Sequence, residues 1–294
     1  YLSSKYVVAC SSGTAALHLA LLAIGVKKED VVILPVINFI ASVNMSYILG
    51  AKIIFADVDK TTGQMTPENL IHCITYNRLK KIKAVITMYN GGSPNNFYDF
   101  YKLKKKYNFT LIEDACHALG AKYSIKKNIR VGSCQYSDLA TFSFHPVKSI
   151  TTGEGGMVTT NNAKIHKKLN IIKNHGIIRK KSNKTYYWSY QVLEPGFNYR
   201  LSDINCALGI SQLKKIDKFI KKRKKLAKLY NEKLKKLKDK IILPKNLSNQ
   251  ESANHLYIVV FKKKLKISRN QLIQKLYNSG IITQVHYIPV TNQP

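Results

Sequence analysis

Short apolar runs alternate with helical stretches through the first two thirds of the chain, and no other feature limits the possible folds as much. "KYVVAC" (5–10) reads as a strand and "GTAALHLALLAIG" (13–25) as a largely apolar helix closed by Gly25. "DVVILP" (30–35) is a strand entering a loop, and "SVNMSYILG" (42–50) a helix stopped by Gly50. "AKIIFADV" (51–58), "IKAVITMYN" (82–90) and "FTLIEDA" (109–115) are further strands, the last two separated by the amphipathic "NFYDFYKLKKKYN" (96–108). "DLATFSF" (138–144) and "GMVTTN" (156–161) follow, then the helix "AKIHKKLNIIKNHG" (163–176). Strands apolar on both faces must be covered on both, which selects an α/β fold with a mainly parallel sheet between helices. Such sheets gather ligands where loops leave the carboxyl ends of the strands.

The rhythm changes near Ser202. One long helix is expected there, with Ile204, Leu208, Leu213, Ile216, Ile220, Leu226, Leu229 and Leu234 on its apolar side and lysines between them. After the loop "PKNLSNQES" (244–252), "HLYIVVF" (255–261) and "IITQVHYIPV" (281–290) flank the helix "SRNQLIQKLYNSG" (268–280), making a small α+β unit. We expect a large domain at 1–205 and a smaller one at 206–294. The chain opens at Tyr1 within a strand, and both domains read as cut short, the first at its N-terminal end and the second at Pro294. No stretch of about 18 uncharged apolar residues is present, so a membrane span is not expected. Cys10, Cys73, Cys116, Cys134 and Cys206 are odd in number, scattered and never in a CxxC pair. That pattern suggests neither a disulfide framework nor a metal site and fits a reducing cytoplasm.

Net charge is the one composition figure that bears on partners: +32, from 48 Lys+Arg against 16 Asp+Glu. A charge of that size would suit a nucleic-acid binder. Yet the excess is mostly lysine, it lies along helix faces such as "KKIDKFIKKRKKLAKLYNEKLKKLKDK", and no nucleic-acid motif accompanies it. No nucleic-acid partner is expected, although such a surface would attract a phosphorylated substrate.

Against that background Lys148 is unusual. In "FSFHPVKSITTGEGG" (142–156) it stands among aromatics and glycines, with Asp138 and Glu154 as its nearest charged neighbours in sequence. A lysine so placed either snorkels from a glycine-rich turn or is desolvated, with a free amine able to attack an aldehyde such as that of pyridoxal phosphate. A pyridoxal phosphate enzyme also needs an anion cradle, an acid for the ring nitrogen and a flat partner for the ring. "SSGTAAL" (11–17) sets Gly13 and Thr14 at a strand-to-helix junction that favours phosphate. "LIEDACHALGA" (111–121) ends a strand on Asp114, and Phe39 in "PVINFIASVN" (35–44) follows another strand. Each has an ordinary structural explanation: a glycine turn with an N-cap, a strand-end cap, core packing.

Taken together, "SSGTAALHLAL", "EDACHALGA", "FSFHPVKSITTGEGG", "NHGIIR", "GFNYRLSDINCALGISQLKKID" and "VHYIPVTNQP" occur in the order seen in the DegT/StrS sugar aminotransferases, which this chain resembles along its whole length. The resemblance implies a fold-type I pyridoxal phosphate transferase acting on keto-sugar nucleotides. It extends to the subgroup that aminates a UDP-linked 4-keto-6-deoxy-N-acetylhexosamine for pseudaminic acid, through the aromatic "TYYWSYQVLEPGFNYRLSD" (185–203) and "HLYIVVF". Another keto-sugar nucleotide (C3 or C4, UDP or dTDP), or a cofactor-binding paralogue without turnover, is the alternative. By motif position, Lys148 matches the lysine that carries the cofactor, Asp114 the partner of the ring nitrogen, and His117 the residue near the phenolic oxygen. Gly13, Thr14 and Ser143 match the phosphate cradle, and Phe39 the aromatic over the ring. Asn198 matches an asparagine reaching the cofactor phosphate of a neighbouring subunit, which implies a homodimer with shared sites. Family members with His in place of the lysine are dehydratases, so Lys148 implies transamination, with L-glutamate as donor. Arg179, Arg200 and His286 are candidates for substrate contact.

Overall fold

The computed structural model describes residues 1–179, 188–244, 249–262 and 267–294. All seven segments read as strands in the first two thirds enter one sheet. They are β1 (Tyr6–Cys10), β2 (Val31–Pro35), β3 (Lys52–Ala56), β4 (Ala84–Met88), β5 (Thr110–Asp114), β8 (Leu139–Ser143) and β9 (Gly156–Thr160). A small hairpin, β6 (Lys122–Ser124) with β7 (Ile129–Arg130), lies between β5 and β8. The sheet order is β1-β9-β8-β5-β4-β2-β3, parallel from β8 to β3, with β9 antiparallel to both of its neighbours.

Alternation along single strands explains why both faces had to be apolar. Val32 and Leu34 of β2, Ala84 and Ile86 of β4 and Ile112 of β5 enter one buried cluster. Ile33, Val85 and Leu111, their neighbours in sequence, enter another. The first cluster is covered by helices α1 (Gly13–Ala23) and α5 (Ala163–Ile172), with α2 (Ile40–Ile48) packed outside. The second is covered by α3 (Pro67–Tyr76) and α4 (Phe97–Tyr107). Because α1 is enclosed on nearly all sides, its sequence is apolar all round rather than striped.

Three readings of the C-terminal part need correction. The single long helix after Ser202 is two, α6 (Asp203–Leu213) and α7 (Ile216–Leu234), separated by a turn at Lys214 and Lys215. The break lets Ile216 and Ile220 of α7 reach a third buried cluster, around Phe142 and Tyr123, while α6 buries none of its residues. Within 255–261 only β13 (Val260–Phe261) is a strand, paired with β12 (Ile241–Ile242), and 281–290 contains none. The backbone there is committed elsewhere: Ala253 and His255 donate to the Gly92 and Gly91 carbonyls, and Val290 donates to Val36. The helix α8 (Arg269–Asn278) forms as expected, opened by a Ser268–Gln271 capping box. A two-stranded ribbon, β10 (Ile177–Ile178) with β11 (Gln191–Val192), completes the strands. Thr185, Tyr186 and Tyr187 of the aromatic stretch, and 245–248 of the loop before β13, lie outside the described residues. Among the described residues no helix is long and apolar enough to cross a membrane.

Candidate active site

The carboxyl ends of β2, β5 and β8 lead into Phe39, into Asp114 with His117, and into Ser143 with Lys148. Asp114 closes β5 and is 3% exposed. Its carboxylate accepts from the Cys116 backbone N–H at 3.1 Å. Burial raises its pKa, opposed by the Cys116 hydrogen bonds and by the positive charge of Lys148. Lys148 lies in the loop joining β8 to β9. That loop is folded back on itself: Phe144 donates to Gly155 at 2.8 Å, Thr152 donates to Phe144, and Lys148 N donates to His145. Phe144 and Ile150 are buried beneath it, which fixes where the lysine stem leaves the backbone.

The lysine's two charged neighbours in sequence are engaged elsewhere. Asp138 is paired with Lys104 at 2.6 Å, and Glu154 lies 3.9 Å from His145. Among the described residues the Lys148 ammonium has no hydrogen bond or ion pair. Its charge instead acts on Asp114, Cys116, His117, His255 and His286, so these surround it.

His117 is 2% exposed. Its ring lies 4.4 Å from that of His255 and 6.3 Å from those of His286 and Tyr287, with Nε2 at 3.3 Å from the Tyr287 hydroxyl. Burial, then the charge of Lys148 and the other imidazoles, depresses the His117 pKa far below the usual histidine range. The same causes, with Arg223 added, push His255 down to about 3, and burial with Lys148 lowers His286. Burial and the charge of Asp114 raise the Tyr287 hydroxyl, which stays protonated. Nδ1 of His117 and Nδ1 of His255 are buried without a partner among the described residues.

A second group forms at the start of α1. Ser12 caps the helix by accepting from Ala15 N at 3.0 Å, and no acidic residue occupies the first turn. The Gly13 and Thr14 N–H groups have no acceptor among the described residues, which leaves the positive end of the helix dipole facing the site. A Cβ on Gly13 would fall 2.7 Å from the Ser143 Cβ, so only glycine permits this approach of α1 to the end of β8. Phe39, 52% exposed at the head of α2, tilts against Tyr287 at 5.9 Å.

Thus Lys148, Asp114, His117 and His286 come together, as do Gly13 with Ser143. The arginines sit differently. Arg200 donates to Asn174 Oδ1 at 2.7 Å, and Arg179 is exposed directly after β10. Asn198 is exposed and bridges Asn174 through its backbone. His255 and Tyr287 were missed by sequence reasoning. A histidine opening an apolar run and a tyrosine beside another histidine carry no spacing signal of their own.

These groups fit pyridoxal phosphate. An anionic phosphate suits the bare N–H donors of α1 with Ser143, a protonated ring nitrogen suits a buried carboxylate, and an aldehyde suits a lysine without a partner. The orphaned nitrogen of His117 would gain a partner in a phenolic oxygen.

Comparison with known proteins gives the same direction. The family model described as the DegT/DnrJ/EryC1/StrS aminotransferase family matches residues 1–294. An uncharacterised protein of Methanocaldococcus jannaschii, MJ1066, is 38% identical over 298 residues, covering 100% of this chain and 75% of that protein. A UDP-4-amino-4,6-dideoxy-N-acetyl-beta-L-altrosamine transaminase of Campylobacter jejuni is 38% identical over 289 residues, covering 98% of this chain and 73% of its own length. Among solved structures, Helicobacter pylori PseC, an aminotransferase of pseudaminic acid biosynthesis, superposes with a TM-score of 0.88 at 30% identity, covering 99% of this chain and 75% of that one. Spr1654 of Streptococcus pneumoniae, solved in its PLP form, gives a TM-score of 0.86 at 27% identity, covering 99% and 75%.

Proposed function

Given that the chain belongs to the DegT/DnrJ/EryC1/StrS aminotransferase family, we propose that it moves an amino group from L-glutamate to a UDP-linked 4-keto-6-deoxy-N-acetylhexosamine, giving the 4-amino sugar nucleotide that leads to pseudaminic acid. The observation that supports this most is local: the Lys148 ammonium has no partner among the described residues, while its charge reaches the buried Asp114 and three imidazoles. The subgroup follows the Campylobacter jejuni and Helicobacter pylori relatives.

Pyridoxal phosphate supplies an aldehyde that carries the amino group and a ring that takes up the electron pair left when a substrate C–H bond breaks. The protein's own groups do the rest. Gly13 and Thr14 N–H, with the Ser143 hydroxyl, bind the phosphate. Asp114 holds the proton on the ring nitrogen, a role its burial favours because a charged partner there relieves the cost of an isolated carboxylate. Lys148 Nζ takes the proton from the α-carbon of the donor and hands it on, then works in reverse on the keto-sugar. His117 would orient the phenolic side of the ring, and Phe39 would pack against its face. His286, beside this cluster, is the better placed of the substrate candidates; Arg179 and Arg200 remain assigned to the anionic groups of donor and nucleotide.

Asn198 completes the phosphate site of a second copy, so the enzyme works as a homodimer. Exposed apolar residues support this: Ile204 (84%) and Ile210 (61%) on α6, Tyr47 (76%) and Ile48 (63%) on α2. A large unit at 1–205 and a small one at 206–294 belong to the same reading, as does the cytoplasm, which suits five free cysteines. The test is mass spectrometry of the purified protein with the UDP-keto-sugar and L-glutamate. Replacement of the carbonyl oxygen by an amino group is expected; no amination of any keto-sugar nucleotide with any donor would overturn the reading.

A further inference from the structure

His117 has two ring nitrogens, and its chemistry depends on which one carries the proton. That choice is dictated by the hydrogen bonds around the ring. Nε2 lies 3.3 Å from the Tyr287 hydroxyl, and Nδ1 is buried with no partner among the described residues. Two arrangements satisfy this contact: the phenol donates to a bare Nε2, or Nε2–H donates to the phenolic oxygen. Imidazole nitrogen is a far stronger base than a phenol oxygen, and phenol the better donor, so O–H···N is the stronger bond. Burial and neighbouring negative charge keep the Tyr287 proton in place, and burial keeps the imidazole neutral.

We propose that Tyr287 and His255 are positioning residues that fix the tautomer and tilt of His117: the Tyr287 hydroxyl donates to Nε2, so that His117 presents Nδ1–H toward the site, while the His255 ring, tilted 40° against it with centroids 4.4 Å apart, holds it in that orientation by packing. This deepens the reading of His117 given above and rests on it for the identity of the acceptor, an anionic oxygen on the cofactor.

Both positioning side chains are themselves clamped. His255 N donates to the Gly91 carbonyl at 3.0 Å, Ala253 N donates to Gly92 at 2.9 Å, and Arg223 Nη1 of α7 donates to the His255 carbonyl at 3.1 Å. The segment carrying His255 therefore lies strapped across the loop after β4. Gly92 makes this possible: its φ is +99°, and a Cβ there would fall 2.5 Å from the His117 carbonyl and 3.4 Å from His255 N. On the other side Asn90 Nδ2 donates to the His286 carbonyl at 3.4 Å and Val290 N donates to Val36 at 2.9 Å, holding the segment that bears Tyr287. Two distant stretches of chain thus meet one buried ring, each fixed through hydrogen bonds to its own backbone. A ring held by two such contacts loses little freedom on meeting its acceptor.

The test reads the tautomer directly, without cofactor. Protein labelled with 15N-histidine, purified cofactor-free, gives long-range 1H–15N correlations for each ring, and the His117→Asn spectrum identifies the His117 signals. The wild type is expected to show Nδ1 protonated and Nε2 bare. Tyr287→Phe should shift His117 toward the other tautomer or a mixture and weaken pyridoxal phosphate binding about tenfold. His255→Phe, which keeps an aromatic ring against His117, should leave one tautomer, and His255→Ala should broaden the signals. Nε2–H in the wild type, or an unchanged His117 spectrum in Tyr287→Phe, would overturn the proposal, and the wild-type spectrum decides even where a variant fails to fold. Failure of the wild type to bind pyridoxal phosphate would count against the functional reading and leave the tautomer result standing.

Discussion

Glu113 and Asp114 are adjacent on β5, and the strand's alternation sends them to opposite surroundings. Glu113 is enclosed by three hydroxyl donors, Tyr89 and Tyr123 at 2.5 Å each and Ser137 at 3.0 Å. Asp114 has only Cys116 and the field of Lys148. Glu113→Gln should therefore cost stability, roughly 1–3 kcal/mol in denaturant melts, because its amide leaves one of those hydroxyls without an acceptor. Asp114→Asn should leave the melt nearly unchanged and cut turnover by about 10²–10⁴. The "IED" triplet showed that one carboxylate would face the site; which donors meet the other depended on Tyr123 and Ser137, placed by the tertiary fold. The buried imidazoles give a pH prediction. His117 and His255 stay neutral in the fold but take up protons on unfolding, so stability falls as pH drops through about 6.5. For His255 the loss continues until its own titration near pH 3. His255→Phe should flatten the slope of stability against pH between about pH 6 and 4 by up to about 1.4 kcal/mol per pH unit. An unchanged slope would show that His255 is protonated in the fold.

At the level of elements, the junction of β1 with α1 is the proposed phosphate cradle. Gly13→Ala would press a methyl group into Ser143, 2.7 Å from its Cβ. It should raise the dissociation constant for pyridoxal phosphate at least tenfold, measured by absorbance titration, whereas Ser12→Ala should cost about 1 kcal/mol of stability through the lost cap. Equal cofactor affinity in Gly13→Ala would remove that junction from the site. The seven sheet strands were legible because two-faced burial writes itself as unbroken apolar runs. The break between α6 and α7 was not, since apolar spacing continues through Lys214 and Lys215 and only the third cluster demands the change of direction. The segments bearing His255 and Tyr287 look like strands in sequence, because hydropathy does not record that their backbone bonds go to Gly91, Gly92 and Val36.

For the whole molecule, the proposed sharing of sites between two chains would give a result no monomer can imitate. In a mixture of Lys148→Ala and Asn198→Asp chains, a hybrid dimer holds one site with both lesions and one with neither. Activity should recover to about a quarter of wild type after co-refolding, against near zero for each variant alone. Absence of recovery would place Asn198 in its own chain's site. The net charge of +32 had no evident role in the sequence, and the structure spreads it over exposed helix faces such as that of α7. The alternating rhythm foretold the sheet, but the C-terminal histidine and tyrosine packed against His117 come from tertiary contacts no local pattern encodes. The proposed function depends on Lys148 holding the cofactor. Borohydride reduction of the protein with pyridoxal phosphate, followed by peptide mass spectrometry, measures that directly. We predict one pyridoxyl group per chain, on the peptide containing Lys148 and absent from Lys148→Ala; labelling scattered over surface lysines, with Lys148 unmodified, would contradict the account.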